Sequence, residues 1–409
     1  MSYDNNIIKK SICQADSRKI ITVDGKNYLI DSETGETFEL LSDKSSVGKE
    51  RPWKEHKAEN EQVEKVYRLL ADKSEIERDY WSSKAERLHG CGCHLWFNLY
   101  LDRNGGTMKK LKSAESCRVR LCPLCSWLRS RKIQAHMRKI LEAMYQTQEY
   151  DFLLVTLTVP NCQGSELSDT ITDILSAFNR FVGYSAFNNA VVGWYRGLEV
   201  THNVARYKFK WARRKGKKVR VYLRDEDGQF ILNTSFDTYH PHIHLVVAVK
   251  KSYFKHNDYI SHDKWLEMWR KATKNPNITQ VDVRKVRPKA KDLSTSTSFS
   301  DMIISAVLEV SKYTVKSEDY VNPTDWDMSC KSVEVLDPAL HKRRLVAFGG
   351  IMKELHEKLN LDDEIDGDLI EDGETPNGDP VGKVCAVWHT GYQQYFMNDE
   401  LADGLSSSE

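Results

Sequence analysis

Three histidines alternate along a short apolar segment, and their spacing predicts a metal site. His240, His242 and His244 lie in the sequence YHPHIHLVVAV. Side chains of a β-strand point to opposite faces with period two, so the three imidazoles are predicted on one face of a strand. Neutral imidazoles held side by side are typical metal ligands, and the alternative is a polar strand face whose histidines only form hydrogen bonds.

A second group of reactive side chains is predicted on one helical face. Glu309, Lys312, Tyr313 and Lys316 follow the spacing i, i+3, i+4, i+7 in a predicted helix over 299–316. A phenol has a pKa of about 10 and is a weak nucleophile, but a nearby ammonium group favours the phenolate. Together with a metal that polarises phosphate, this pattern predicts attack of Tyr313 on a DNA phosphate. The alternative is a salt-bridged surface helix.

A cysteine-rich module over 89–135 predicts a zinc site. The C-x4-C-x2-C cluster with an upstream partner suits tetrahedral zinc, which needs four soft ligands. The favoured ligands are Cys91, Cys117, Cys122 and Cys125, with Cys93 or His94 as substitutes. Reduced cysteines without metal are the alternative. Basic side chains beside the cluster are candidates for facing DNA: Arg118, Arg120, Arg129, Arg131 and Lys132.

The elements that must position these residues predict an α+β fold. From about residue 150 the patterns give strand, helix, strand, strand, helix, strand, and then the helix over 299–316. This order favours a central antiparallel sheet with helices on one face and the other face open to a substrate. The predicted regions are 1–88 (accessory β-hairpins and charged helix), 89–135 (zinc module), 150–355 (catalytic domain) and 356–409 (acidic C-terminal region).

A basic hairpin is predicted at 204–224, inside the catalytic domain. The net charge of the 409 residues is only +1, but residues 206–224 contain ten Lys or Arg with four aromatic residues between them. Such a block is a candidate surface for phosphate, and a solvated hairpin is the alternative. The predicted DNA-binding residues are Arg206, Lys208, Lys210, Arg213, Arg214, Lys215, Lys217 and Lys218.

Composition and hydropathy exclude several classes of protein. The hydrophobic fraction is 40% and the mean hydropathy is −0.57. No apolar run reaches the length of a membrane span, and the N-terminal residues lack the apolar core of a secretory signal. We therefore expect a cytoplasmic protein without membrane association, whose nine cysteines are thiols or metal ligands rather than disulfides.

The motifs in this order resemble the replication initiators of rolling-circle plasmids from Gram-positive bacteria, which belong to the HUH endonuclease superfamily. The matching blocks fall within 89–370: SCRVRLCPLCSWLRSRK, FLLVTLTVPN, GLEVTHN, YHPHIHLVVAV, EVSKYTVK and LHKRRLVAFGG. The resemblance implies a ferredoxin-like or RRM-like core and a nickase with a single catalytic tyrosine. The GLEVTHN block, the cysteine block and the LHKRRLVAFGG segment favour a plasmid initiator over a transposase or a mobilisation relaxase of the same superfamily.

The resemblance also implies roles for individual residues. His242 and His244 correspond to the histidine pair that binds the catalytic Mn²⁺ or Mg²⁺, and Glu199 corresponds to the third ligand. Tyr313 corresponds to the nucleophile that forms a 5′-phosphotyrosyl ester with origin DNA, and Glu309 to a residue that activates water for termination. Lys312 and Lys316 would position phosphate or assist proton transfer, and His240 is an additional candidate that supports a ligand or reads DNA.

The implied partners are duplex origin DNA, a single-stranded nick site, a host helicase and a second copy of the chain. Two other classes of function stay open from the residues alone. One is a zinc-dependent regulator that binds nucleic acid without catalysis, which would not need the tyrosine. The other is a metallohydrolase, which would cleave DNA without a covalent adduct.

Overall fold

A computed structural model describes residues 18–45, 48–101, 106–214, 217–286, 314–361, 369–370 and 378–398. Within these ranges, no helix combines the length and the apolar character needed to cross a membrane. The described helices are α1 (Trp53–Lys73), α2 (Arg78–Gly90), α3 (Pro123–Gln146), α4 (Leu167–Val182), α5 (Ser185–Ala190), α6 (His262–Thr273), α7 (Trp326–Leu340) and α8 (Ile351–Lys358).

Fourteen strands are described in the same ranges. The first five are β1 (Arg18–Val23), β2 (Lys26–Asp31), β3 (Thr37–Glu39), β4 (His94–Leu101) and β5 (Thr107–Ala114). The next five are β6 (Tyr150–Thr158), β7 (Val191–His202), β8 (Phe209–Arg214), β9 (Lys217–Tyr222) and β10 (Tyr239–Lys250). The last four are β11 (Val281–Lys285), β12 (Val346–Gly350), β13 (Gly382–His389) and β14 (Gln394–Asn398).

The chain divides into two compact units, each built from separate stretches of sequence. The first unit contains residues 1–61, 86–117 and 374–409, and the second contains 62–85 and 118–373. In the first unit, β1, β2 and β3 form a small sheet, and β14, β13, β4 and β5 form another. Part of the predicted acidic C-terminal region, 356–409, therefore lies in a sheet, because β13 pairs with β4.

The second unit is built on a five-stranded antiparallel sheet with the order β11-β6-β10-β7-β12. Helix α4 lies between β6 and β7 in the chain, and α6 lies between β10 and β11. The central strand β10 is apolar on both faces after His244, as expected for a strand covered on both sides. Its register places His242 directly opposite Glu199 of β7.

Helices cover both faces of this sheet, so the prediction that one face is open is wrong. On one face, Phe178 of α4 meets the ring of Trp194 with centroids 5.0 Å apart. On the other face, Met137 of α3 and Met352 of α8 belong to the same core cluster as Val246. His242 and His244 lie on the same face of β10 as Val246, so α3 and α8 pack on the face that carries the histidines. The sequence pattern missed this because α3 was assigned to the cysteine-rich module.

Candidate functional site

Three predicted ligands converge at the middle of the sheet. Glu199, His242 and His244 each offer one ligand atom, and these atoms all lie within 4.8 Å of one another. The Nε2 atom of His244 is 2.9 Å from Glu199 Oε2, and that of His242 is 3.5 Å from the same oxygen. Period-two alternation and cross-strand pairing bring the three side chains to one face, as the sequence predicts.

Hydrogen bonds on the far side of each imidazole fix its orientation. His242 Nδ1 is 3.0 Å from the carbonyl oxygen of His240, which can only accept, so Nδ1 is the donor of this hydrogen bond. His244 Nδ1 is 3.2 Å from the hydroxyl of Thr156. Imidazoles that bind metal are commonly held in this way, with the second nitrogen bonded to a carbonyl or another oxygen.

His240 lies beside this group rather than in it. Its ring stacks on that of His242, with centroids 5.1 Å apart. Burial, followed by the neighbouring His242, lowers the pKa of His240. This position suits a residue that holds the His242 ring in place by stacking on it. The backbone carbonyl of His240 contributes to the same role through its hydrogen bond with His242 Nδ1.

The donor set fits a divalent cation. Burial by itself would raise the pKa of Glu199, but hydrogen bonds from His242 and His244 hold it well below its usual range. A buried carboxylate is therefore ionised between two imidazoles, which is the environment that a cation would complete. One carboxylate oxygen and two imidazole nitrogens, at a site that opens into a cavity, suit Mn²⁺ or Mg²⁺ better than a closed zinc site.

Most of the predicted tyrosine motif lies outside the described residues, including Glu309, Lys312 and Tyr313. Thr314 is the first described residue after the motif, and its carbonyl oxygen accepts a hydrogen bond of 2.7 Å from the backbone N–H of Val200. Val200 directly follows the predicted ligand Glu199. Lys316 is extended, with φ −83° and ψ 144°, so the predicted helix does not reach it and the helical spacing does not apply to this lysine.

A cavity opens beside two of the predicted ligands, Glu199 and His244. Its walls include Glu199 and His244 from the sheet and Thr314 and Val315 from the segment after Tyr313. Its lining also carries two cations and two hydroxyl groups, which belong to Arg120, Ser126, Arg129 and Ser130. Arg120 and Arg129 are among the residues predicted to face DNA. Lys132 is fully buried, so that prediction is wrong for Lys132.

A buried polar network that the sequence analysis missed joins the ends of β7 and β10. His202 is 4% exposed, and its Nε2 is 3.1 Å from Asp237 Oδ1. Its ring lies parallel to that of Tyr239, with centroids 4.1 Å apart. Lys331 of α7 forms an ion pair with Asp237. The only available signal was the position of His202 in the block GLEVTHN, three residues after Glu199.

Asp319 is a second residue that the sequence analysis missed. Burial raises its pKa to about 6, against the opposing effect of Lys316. Its backbone carbonyl lies 3.2 Å from His202 Nδ1. No spacing rule marks it, because it lies in a single 3-10 turn, Ser317–Asp319, after the predicted helix.

The predicted basic hairpin is formed by β8 and β9. Four of the predicted DNA-binding side chains are exposed, namely Arg206, Lys208, Lys210 and Arg213. The side chains of the other four, Arg214, Lys215, Lys217 and Lys218, lie outside the described part of the chain.

The predicted zinc ligands form a pair in each unit. In the first unit, the backbone N–H of Cys117 donates to Cys91 Sγ at 3.5 Å. In the second unit, the N–H of Cys125 donates to Cys122 Sγ at 3.4 Å, and all four cysteines are buried.

The alternative ligand Cys93 is held differently from these pairs. Its thiol donates to the carbonyl of His89 at 3.1 Å, and Lys57 Nζ lies 3.5 Å from its sulfur.

Comparisons with known proteins identify the family. A family model described as "Replication protein" matches residues 108–396. A "Protein rep" from Bacillus amyloliquefaciens is 34% identical over 369 residues, which cover 88% of this chain and 98% of the relative. A "Protein rep" from Lactiplantibacillus plantarum is 30% identical over 88% of this chain and 99% of its own length. No solved structure shows a significant match. The chain therefore belongs to the replication protein family, the rolling-circle plasmid initiators that its motifs resemble.

Proposed function

We propose that this protein starts rolling-circle replication of its plasmid by nicking one strand of the origin and becoming covalently attached to it. The observation that carries the proposal is the convergence of Glu199, His242 and His244 beside the segment that directly follows Tyr313. Two connections in the sheet cross over a neighbouring strand: β6 to β7 through α4, and β10 to β11 through α6. Together with the strand order, they support a ferredoxin-like core of the HUH type. In such a core, ligands on adjacent strands present one cation to a substrate on the sheet.

The metal would be held by Glu199, His242 and His244. A divalent cation bound there supplies charge that polarises a phosphate oxygen of the scissile linkage. The protein contributes the orientation of the imidazoles through His240 and Thr156, and the ionised carboxylate of Glu199. These contacts make the site rigid before DNA binds, which favours catalysis because no reorganisation is needed in the transition state.

Tyr313 is the proposed nucleophile. Its phenolic oxygen attacks the phosphorus atom, the bond from phosphorus to the 3′ oxygen breaks, and the departing 3′ oxygen takes up a proton. One phosphodiester is replaced by one 5′-phosphotyrosyl ester, so the strand can be rejoined later without an external energy source. Lys312 and Lys316 are proposed to favour the phenolate or to bind the phosphate.

The cavity beside the ligands has a wall suited to DNA phosphate. Arg120 and Arg129 supply positive charge there. Guanidinium groups suit phosphate because their planar donors match two phosphate oxygens. We propose that these residues position the strand next to the reactive phosphate.

The direct test is denaturing electrophoresis of the protein after incubation with Mn²⁺ and single-stranded oligonucleotides that tile its own plasmid's origin. We expect a protein band shifted by covalent DNA, formed with one oligonucleotide of the set and absent with chelator. Cleavage without a shifted band would indicate a metallonuclease, and binding without cleavage on supercoiled origin DNA would indicate a regulator.

Glu309 is proposed to activate the water molecule that ends replication. With a single nucleophilic tyrosine, the second cleavage needs another attacking group, and a carboxylate can remove a proton from water. We expect Glu309→Ala to keep the first nicking reaction and to impair termination. The check is a plasmid that carries two origins, on which release of the unit between them reports termination. Equal loss of both reactions would contradict this role.

We also propose that Cys91, Cys117, Cys122 and Cys125 hold one zinc ion. The sequence spacing carries this proposal, and the backbone N–H groups that point at sulfur in each pair support it, since such donors stabilise thiolates. Only four residues separate Cys117 from Cys122 along the chain. The ion would have a structural role, because four thiolates leave no open position.

We expect about one zinc per chain in protein purified without added metal, and a loss of most of it in Cys125→Ser. The reason is that three thiolates bind zinc far less tightly than four at the same site. The measurement is elemental analysis together with thermal unfolding. Cys385→Ser is the matched control, since Cys385 is also buried but lies outside the proposed site. Equal zinc content in both variants would contradict the assignment.

Initiation also requires partners beyond the nick site. We propose that duplex origin DNA is bound together with the single-stranded site, that a host helicase unwinds the DNA ahead of the attached protein, and that two copies of the chain act at one origin. Native electrophoresis with origin fragments of increasing length would count the copies bound.

A further inference from the structure

The segment between β7 and β10 carries a surface that the proposed chemistry does not use. Residues 204–236 connect the two strands, and β8 and β9 form a hairpin within them. The ends of this insertion are tied together at its base. The backbone N–H of Asn203 donates to the carbonyl of Thr238, and the N–H of Asp237 donates to the carbonyl of Asn203.

One face of the hairpin is almost entirely aromatic and cationic. The register pairs Phe209 with Tyr222 and Trp211 with Arg220, so these four side chains share a face. Tyr207, Phe230 and Arg224 extend it. We call these seven residues the aromatic face: Tyr207, Phe209, Trp211, Arg220, Tyr222, Arg224 and Phe230. The other face of the same strands carries Lys210, Ala212, Val219 and Val221 instead.

The aromatic face is exposed to an extent that packing alone does not explain. Trp211 is 48% exposed, Tyr222 is 44% exposed and Phe230 is 41% exposed. Large aromatic side chains normally bury most of their area, and a contiguous exposed group of them marks an interaction surface. Cross-strand aromatic contacts also stabilise a hairpin, so a purely structural role must be separated by experiment.

Neighbouring rings of the aromatic face meet edge to face, and arginine side chains lie beside them. Phe209 meets Trp211 at an interplanar angle of 87°, and Tyr222 meets Phe230 at 72°. Neither pair is a parallel stack. The guanidinium of Arg220 lies over both Phe209 and Trp211, at 5.0 Å and 5.4 Å from the ring centroids, and that of Arg224 lies 3.9 Å from the centroid of Phe230. Arginine held in this way is positioned to meet a phosphate beside a stacked base.

The charge of the insertion identifies the class of partner. Residues 204–236 contain ten Lys or Arg and three acidic residues. A polyanion with accessible flat rings matches this combination, and single-stranded DNA has both properties. Duplex DNA offers the phosphates, but its base faces are stacked inside and only base edges are available in the grooves.

The position of the insertion links it to the nick site. Tyr239 pairs with His202 at the base of the insertion, and His242 pairs with Glu199 three positions further along the same strands. At about 3.3 Å per residue, the base of the insertion begins roughly 10 Å from the ligand group. A strand that leaves the catalytic cavity on this side would meet the base of the insertion within a few nucleotides.

From these observations we propose that the aromatic face binds single-stranded DNA next to the nick site by stacking unpaired bases on Trp211 and Tyr222. This inference rests on the proposed function, because the single-stranded DNA in question is the part of the origin that the enzyme nicks. In this proposal, the lysines of residues 204–236 bind the phosphates of any DNA. The aromatic face selects single-stranded DNA, because only unpaired bases can stack on it.

The test uses the full chain with Tyr313→Phe, so that binding is measured without cleavage. The probes are a fluorescein-labelled 20-nucleotide oligo(dT), a 20-nucleotide strand of abasic sites, and a 20-base-pair duplex, each at several salt concentrations. Trp211→Val and Tyr222→Val keep residues that favour a strand but remove the flat ring. Trp211→Phe and Tyr222→Phe keep a ring and serve as matched controls.

We expect each valine variant to weaken binding of oligo(dT) by roughly 5- to 100-fold, with little change for the abasic strand and the duplex. The salt dependence of binding should stay the same, because no charge is removed. The phenylalanine variants should retain most of the affinity. In contrast, Lys208→Ala should weaken binding to all three probes and lower the salt slope for oligo(dT) by about 0.7.

Two results would overturn the proposal. One is equal weakening for oligo(dT), abasic strand and duplex in the valine variants, which would mean that the rings only support the hairpin. The other is unchanged binding of oligo(dT). Neither result depends on whether the wild-type chain forms a covalent adduct, so failure here is distinguishable from failure of the proposed nicking activity.

Discussion

Tyr313→Phe is expected to abolish the covalent protein–DNA adduct and to reduce nicking of the origin strand by roughly a thousand-fold or more. The substitution removes only the phenolic oxygen, so the attacking atom is lost while the ring is kept. Metal binding should be unchanged, because Glu199, His242 and His244 are not altered. Denaturing electrophoresis with a labelled origin oligonucleotide measures adduct and nicked product in the same lane.

Tyr259→Phe is the matched control for this change. Tyr259 lies in the same unit and is 51% exposed, and its hydroxyl has no role in the proposed chemistry. We expect adduct formation at the wild-type rate. Nicking that persists in Tyr313→Phe without an adduct would contradict the tyrosine mechanism and would favour direct hydrolysis at the same metal site.

Glu199→Gln is expected to lower nicking by roughly 100-fold or more at a fixed low concentration of Mn²⁺. Glutamine has nearly the same shape, but it removes the negative charge that faces both imidazoles and that a divalent cation would neutralise. Part of the activity should return at high Mn²⁺, because two imidazoles still offer ligand atoms. The nicking rate as a function of Mn²⁺ concentration distinguishes weaker metal binding from a general loss of fold.

Direct titration of Mn²⁺ into the protein without DNA provides a readout independent of activity. We expect the binding curve to move to higher Mn²⁺ in Glu199→Gln and to stay in place in Glu267→Gln, which alters a surface carboxylate paired with Lys264. An unmoved curve together with unchanged nicking would mean that the metal is bound elsewhere.

The proximity of the two histidines was predictable because it depends on local geometry. Alternation along one strand is sufficient to place His242 and His244 on the same face. The inclusion of Glu199 depended on family resemblance, since no sequence rule fixes that β7 lies beside β10 in the register that pairs Glu199 with His242. The assignment of Glu199, His242 and His244 as metal ligands stays a prediction until binding is measured, although their proximity in space is now described.

The features that sequence patterns missed depend on contacts between distant residues. No helix was predicted at Pro123–Gln146, and part of it was assigned to the cysteine-rich module over 89–135. Met137 of this helix packs in one cluster with Val246 because both are apolar and the sheet face needs cover. His202 and Asp237 meet only because an insertion returns the chain to its starting point. Lys316 was placed on a helical face by period, but the chain is extended there, which periodicity cannot reveal at a helix end.

The pairing of β13 with β4 has a consequence for synthesis of the chain. Gly382 pairs with Leu99, so β4 leaves the ribosome 283 residues before its partner. At about 5 to 20 residues per second, this interval is roughly 15 to 60 s, and the last strand of the five-stranded sheet, Val346–Gly350, is also synthesised before Gly382. During that time β4 has an unpaired edge in the nascent polypeptide. Translation that stops before Gly382 should therefore yield a chain whose second unit is formed but whose first unit is open to proteolysis and aggregation.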